Sequence, residues 1–144
     1  MKLSTRTRYA VRAMIELAQN EGSRPLQLKI IAKRQDISIK YLEQLMAVLR
    51  SAGLIRSVRG SRGGYTLSRP ASQVRLSDIL NCLEGSVTTV ECVEDSDCCV
   101  RAAECAARQV WMKVQQAIDE VLQSITLQDV VQMAKDGKQA DYQI

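Results

Sequence analysis

The stretch ISIKYLEQLMAVLRSAGLIRSVRGSRGGYTLSRP (37–70) decides the fold. It changes period twice. Ser38 has the hydroxyl that favours a helix N-cap, where it can accept from a free backbone N–H of the first turn. Tyr41, Leu42, Leu45, Val48 and Leu49 then recur at helical spacing, and Gly53 marks the end of that helix. LIRSV (54–58) and YTLSR (65–69) are strand-like, and RGSRGG lies between them. Gly60, Gly63 and Gly64 allow the backbone angles of a tight hairpin tip, and Arg59 and Arg62 make that tip cationic.

Upstream, residues 26–34 offer Leu28, Ile31 and Ala32 to a core, so the spacing predicts a short helix ending before Gln35, Asp36 and Ile37. Two short helices joined by about four residues fit a helix-turn-helix. An earlier helix is expected over residues 4–19, capped by Ser4, with Tyr9, Ala10, Ala13, Met14, Leu17 and Ala18 on its apolar face. Gly22 and Pro25 end it. A helix-turn-helix followed by a basic hairpin is a winged helix, a design that meets DNA. The expected fold class is therefore mostly α, with a small β-hairpin wing and a long C-terminal helix.

The charge distribution agrees. Residues 1–75 carry 15 Lys and Arg against 4 Asp and Glu, whereas residues 76–144 carry 5 against 12. A basic half suits a polyanion and an acidic half repels one. Two regions follow: 1–75 for DNA binding, and 76–144 for sensing and dimerisation. The chain has 46% hydrophobic residues and no Phe, so an aliphatic core is expected. The N-terminus MKLSTRTRYAVRAMIEL has no continuous apolar run, and a cytoplasmic protein without a membrane span is expected.

Beyond Pro70 the pattern changes. Residues 76–83 read as a short helix ended by Gly85. A long helix is expected to begin near residue 100, with Trp111, Val114, Ile118, Val121 and Ile125 alternating at three and four residues. That spacing is an a/d seam, which must bury itself on its own domain or on a partner. A dimer is the favoured reading, because helix-turn-helix proteins commonly read two half-sites. Thr126 to Asp129 read as a capping motif opening a last helix, and the polar tail after Lys135 is expected to fray.

Residues 91–105, ECVEDSDCCVRAAEC, hold four of the five cysteines: Cys92, Cys98, Cys99 and Cys105. Zinc prefers close pairs such as C-x₂-C, often with His, and this chain has neither that spacing nor any His. Cysteine-nucleophile catalysis needs a base that is missing, and no nucleotide-binding glycine motif is present, so no enzyme is expected. Iron–sulfur clusters are held mainly by thiolates in varied spacings. The residues leave a cluster and a set of incidental or redox-reactive thiols both open.

The chain resembles the winged-helix regulators typified by IscR, NsrR and CymR. LSTRTRYAVRAMIELA (3–18), ISIKYLEQLMAVLRSAGLI (37–55), SVRGSRGGYTLSRP (57–70), the cysteines followed by Trp111, and SITLQDVV (124–131) carry the resemblance. It implies a bacterial homodimeric transcription regulator acting on double-stranded operator DNA. Ser38, Lys40, Tyr41, Glu43 and Gln44 would face the major groove and Arg59 the minor groove, with Arg50 and Arg62 adding cationic contacts. Gln44 can read base edges, Glu43 can accept from cytosine, and Arg suits a narrow minor groove. A [2Fe-2S] or [4Fe-4S] cluster would take Cys92, Cys98 and Cys105. Two positions depart from the pattern. The interval from Cys98 to Cys105 is one residue longer than is common, and Arg108 stands where some members have a ligating His. A cation cannot ligate iron, which leaves Cys99, Asp97, Glu104 or a small exogenous thiol for the fourth position. The alternative implied is a cluster-free regulator of cysteine metabolism, controlled by a sulfur-metabolism enzyme or by thiol state.

Overall fold

The computed structural model describes residues 2–141. In chain order it contains α1 (Thr5–Gln19), α2 (Leu28–Gln35), α3 (Ile39–Ser51), β1 (Ile55–Val58), β2 (Gly64–Leu67), α4 (Leu76–Glu84), α5 (Glu91–Glu94), α6 (Ala106–Ser124) and α7 (Leu127–Asp141). Short 3₁₀ turns lie at Ala71–Gln73 and Ser96–Cys98.

The expected caps form. Ser4 Oγ accepts from Thr7 N at 3.2 Å and Ser38 Oγ from Tyr41 N at 3.1 Å, each satisfying a donor that the first turn leaves free. Asp36 closes α2 in the left-handed region, at φ 52°, a conformation that short polar side chains tolerate. It opens the three-residue turn, 36–38, that leads from α2 into α3. One face of α3 buries Leu42, Leu45, Met46 and Leu49, each contributing about 2 kcal/mol of apolar burial. Lys40, Glu43, Gln44 and Ala47 lie on the opposite, exposed face.

β1 and β2 pair antiparallel, with Ile55 opposite Leu67 and Val58 opposite Gly64. The hairpin is tied to the helices through Leu26, whose N–H donates to Tyr65 O at 3.0 Å and whose carbonyl accepts from Tyr65 N at 2.9 Å. The core gathers Met14 and Leu17 of α1, Ile31 of α2, Leu42 and Met46 of α3, Ile55 of β1, Ile79 of α4 and Leu127 of α7. Residues from beyond position 75 thus share the core of the winged helix, and both α4 and α7 pack on α1.

The second half differs in detail from the sequence pattern. The long helix starts at Ala106, not near residue 100. Residues 99–105 make turns instead: Ala102 N donates to Cys99 O at 3.0 Å and Glu104 N to Arg101 O at 3.1 Å, three residues back, not four. Ile125 is the C-cap of α6, and its carbonyl accepts from Leu76 N at 3.0 Å, so the last seam position anchors the helix end to α4. Thr126 and Asp129 form the expected reciprocal cap of α7, each accepting from the other's N–H, at 3.2 Å and 2.8 Å. The tail after Lys135 is helical to Asp141, and the remainder lies outside the described residues.

Candidate nucleic-acid interface and cysteine loop

The DNA-facing positions expected from sequence lie on α3 and on the wing. Ser38, Lys40, Glu43, Gln44 and Arg50 are exposed along α3, Arg59 and Arg62 are exposed on the wing, and Tyr41 is half-buried. Ser38 uses its acceptor on the cap, which leaves its O–H free to donate to a phosphate. An open groove separates the start of α3 from the wing, lined by Lys29, Ile39, Val58, Arg59 and Tyr65. Sequence reasoning misses Lys29. Its only sequence signal is a cation in the first turn of a short helix, and the fold turns it toward the groove.

The acidic half holds the cysteine loop. Cys92 is half-buried on α5, Cys98 and Cys99 are exposed at the end of the 3₁₀ turn, and Cys105 is half-buried at the N-cap of α6. The loop is held from α6 by two side chains. Arg108 Nε donates to Cys92 O at 2.7 Å. Gln115, the buried residue of α6, donates from Nε2 to Val87 O at 2.7 Å and accepts at Oε1 from Thr89 N at 2.8 Å. Its amide thereby satisfies both backbone groups of the strand-like lead-in to the loop. The Cys98 thiol is pushed above its ordinary range, first by desolvation, then by the negative charge of Glu91, Cys92, Asp95 and Cys99 around it. The loop therefore disfavours thiolate at Cys98.

Three thiols are a suitable donor set for iron and sulfide. As folded, however, they do not assemble one site: among the described residues, no three Cys, Asp or Glu side chains converge. Arg108, at the position of the missing His, is engaged with the Cys92 carbonyl. Cys82, the fifth cysteine, is apart from the loop on α4 and donates from Sγ to Ile79 O at 3.1 Å.

The two halves meet at Glu84. Its carboxylate, at the end of α4, accepts from Ser4 N at 2.8 Å and from the buried Thr7 hydroxyl at 2.5 Å, so it sits on the positive end of α1. Hydrogen bonds from Ser4 and Thr7 lower the Glu84 pKa. A carboxyl with a depressed folded pKa adds stability above its unfolded pKa of about 4.3, and that stability is lost as pH falls through the folded value. Glu84→Gln is therefore expected to lower the melting temperature at pH 7, with the gap to wild type closing below about pH 4. Calorimetry across pH checks this, and a gap that persists undiminished at low pH refutes it.

A winged helix with exposed cations on α3 and the wing, and a cysteine loop in its acidic half, matches known regulators along its length. The model of the Rrf2 family, an iron-dependent transcriptional regulator, matches residues 3–133. The chain belongs to the Rrf2 family. Among its relatives is the HTH-type transcriptional regulator CymR of Bacillus subtilis, 42% identical over 99% of this chain and 97% of the relative. The HTH-type transcriptional regulator IscR of Cronobacter sakazakii is 37% identical over 91% of this chain and 80% of the relative. Solved structures agree. CymR, the global cysteine regulator of B. subtilis, superposes with a TM-score of 0.82 at 41% identity, covering 92% of this chain and 98% of that one. T. potens IscR gives 0.78 at 44% identity, covering 95% and 90%. Both CymR and IscR are named as HTH-type transcriptional regulators. No helix among the described residues is long and apolar enough to cross a membrane.

Proposed function

We propose that this Rrf2-family protein is a cytoplasmic, homodimeric regulator that binds operator DNA and is controlled through loop 91–105. The observation that carries the DNA reading is the shared exposure of Lys40, Glu43, Gln44 and Arg50 on α3 with Arg59 and Arg62 on the wing, all from the basic half. Base contacts come from α3, where Gln44 and Glu43 project beside the capped first turn, while Ser38, Lys40 and the arginines hold phosphates and the minor groove. The relatives' role as transcriptional regulators supports the same reading, and no catalytic chemistry is assigned to the chain.

The test starts from a randomised duplex pool. Wild-type protein is expected to enrich one paired-half-site sequence. Arg59→Ala is expected to bind that duplex more weakly, with the slope of log affinity against log salt smaller by up to about 0.9 for each phosphate it no longer neutralises. Enrichment of no sequence by the wild type refutes the DNA reading, and unchanged binding by Arg59→Ala refutes the role of the wing.

Two readings of the loop each rest on an observation. Concentration of Cys92, Cys98 and Cys105 in one short segment, with IscR among the relatives, favours an iron–sulfur sensor of cluster, redox or nitric oxide status. Such a group, when bound, supplies electron transfer and lability toward oxidants and nitric oxide. The engagement of Arg108 with Cys92 O, with CymR among the relatives, favours a cluster-free regulator answering to thiol state or to a sulfur-metabolism enzyme. Protein prepared without oxygen separates them. Stoichiometric iron and sulfide with visible absorbance, abolished in the Cys92, Cys98 and Cys105 variants, is the result of the first. Colourless protein that still binds its duplex after reconstitution is the result of the second.

A further inference from the structure

One face of α1 contacts both sides of the helix-turn-helix turn. Tyr9, Arg12 and Glu16 stand three and four residues apart, so they share that face. Glu16 is only 8% exposed. Its carboxylate accepts from Arg34 Nη1 at 2.9 Å and from Gln35 Nε2 at 2.6 Å, the last two residues of α2. Gln35 Oε1 in turn accepts from Arg12 Nε at 2.6 Å. The Arg12 guanidinium lies 5.2 Å from the centre of the Tyr9 ring. Tyr9 meets Tyr41 of α3 edge-to-face, with ring centres 6.1 Å apart and planes at 88°. The contacts run without a break from the end of α2, through α1, to the first turn of α3.

These contacts are poorly suited to being mere packing. Arg12 is fixed at both its hydrogen-bonding edge and its face, by Gln35 and Tyr9. Tyr41 precedes the base-reading residues Glu43 and Gln44 by two and three positions, so displacement of its ring tilts the same turn that presents them. The turn spans residues 36–38, and α2 and α3 also pack directly on each other. The α1 face packs on both helices and so adds a second tie between them.

We propose that Tyr9, Arg12 and Gln35 are positioning residues for DNA sequence selection, setting the pose of α3 from behind without touching a base. This rests on the DNA reading above. It separates two properties that a phosphate-binding residue would change together. Selectivity depends on where Gln44 and Glu43 sit to within fractions of an ångström. Non-specific affinity depends on surface cations, which the relay does not remove when Tyr9 is changed.

The experiment uses the full chain and two probes: the duplex that wild-type protein enriches from a randomised pool, and a scrambled duplex of equal length. Tyr9→Leu keeps an apolar filler and removes the ring. It is expected to lower the ratio of the two affinities by roughly tenfold, about the weight of one base-pair mismatch, with scrambled-duplex binding and its salt slope unchanged. Tyr9→Phe keeps the ring and is expected to keep the wild-type ratio. Gln35→Leu releases Arg12 without altering any charge, and is expected to move the ratio in the same direction by less, which serves as the second test if Tyr9→Leu unfolds. An unchanged ratio in Tyr9→Leu and Gln35→Leu overturns the proposal. So does a fall in both affinities together with a lowered melting temperature, the signature of a structural role. Failure of wild type to prefer either probe overturns the DNA reading itself, which distinguishes that failure from loss of the relay.

Discussion

Gly64→Ala is expected to detach the wing from the helices, lowering stability by about 3 kcal/mol and affinity for the selected duplex at least roughly tenfold. The reason is a close approach. β2 runs beside Leu26 and exchanges two hydrogen bonds with it through Tyr65. A Cβ on Gly64 would land on the Leu26 carbonyl oxygen, 2.6 Å from its carbon and 3.0 Å from Gln27 N. All of these are backbone atoms, which cannot rotate out of the way as a side chain can. The strand must move off, and Leu26, only 6% exposed, loses its cover. The wing would survive as a hairpin, since its ladder with β1 is on the other edge, but Arg59 would no longer be held over the groove beside α3. For a chain of this length the change corresponds to a fall of about 10 °C in melting temperature. Gly60→Ala is the contrast. Nothing lies within 4 Å of a Cβ there, so only its φ of 114° resists the change. Melting curves and binding to the selected duplex measure both variants. Wild-type stability and affinity in Gly64→Ala would mean that the wing is not docked on Leu26.

That close approach marks the limit of what the sequence makes legible. The period of Leu42, Leu45 and Leu49, the caps at Ser4 and Ser38 and the arginines around the glycine tip place the helix-turn-helix and its wing, because each signal acts over a few residues. Gly64 reads as a turn residue, whereas its neighbour in space, Leu26, lies far back along the chain, before α2. Glu84 reads as the polar end of a helix, and its partners Ser4 and Thr7 stand at the other end of the basic half. The cysteine loop is less legible. VRAAEC has good helix formers and no breaker, so local preference extends the long helix back to residue 100. Tertiary contacts override it: Ala102 is buried and the chain folds into turns of three residues. Arg108 reads as a failed metal ligand, since its bond to a backbone carbonyl leaves no trace in residue type. Gln115, next to the apolar seam, carries no signal of its role in residue type, and only the path of residues 87–89 shows why an amide is buried there.

Val121→Glu is expected to turn a dimer into a folded monomer. α6 spans 19 residues, about 28 Å of helix, and among the described residues it packs mainly against α4 and α5. A different face leaves Val110 53%, Trp111 42%, Val114 40% and Val121 54% exposed. Scattered apolar residues on a surface need no explanation, but four large ones on one face of a helix mark an interaction face. A second copy is the occupant this prediction commits to, since two-fold symmetry can bring the face onto itself and pair two α3 helices for two half-sites. In that arrangement a residue near the two-fold axis faces its own counterpart. A glutamate at position 121 then places two carboxylates together in an apolar contact, each stripped of water and neither with a partner. At about 3 kcal/mol or more, the dissociation constant rises at least roughly a hundredfold. Free of its partner, the same side chain stands in solvent, so the monomer stays folded and its melting temperature falls only by the stabilisation that association supplied. Sedimentation velocity at micromolar concentration separates the two states, and wild type must run as a dimer for the proposal to stand. DNA binding follows the same logic. A monomer engages one half-site and forgoes the other, so affinity for the paired site is expected to fall at least roughly a hundredfold while affinity for an isolated half-site is kept. A Val121→Glu protein that remains dimeric would place the interface elsewhere, and one that loses its fold would show that the exposed stripe is covered by its own chain.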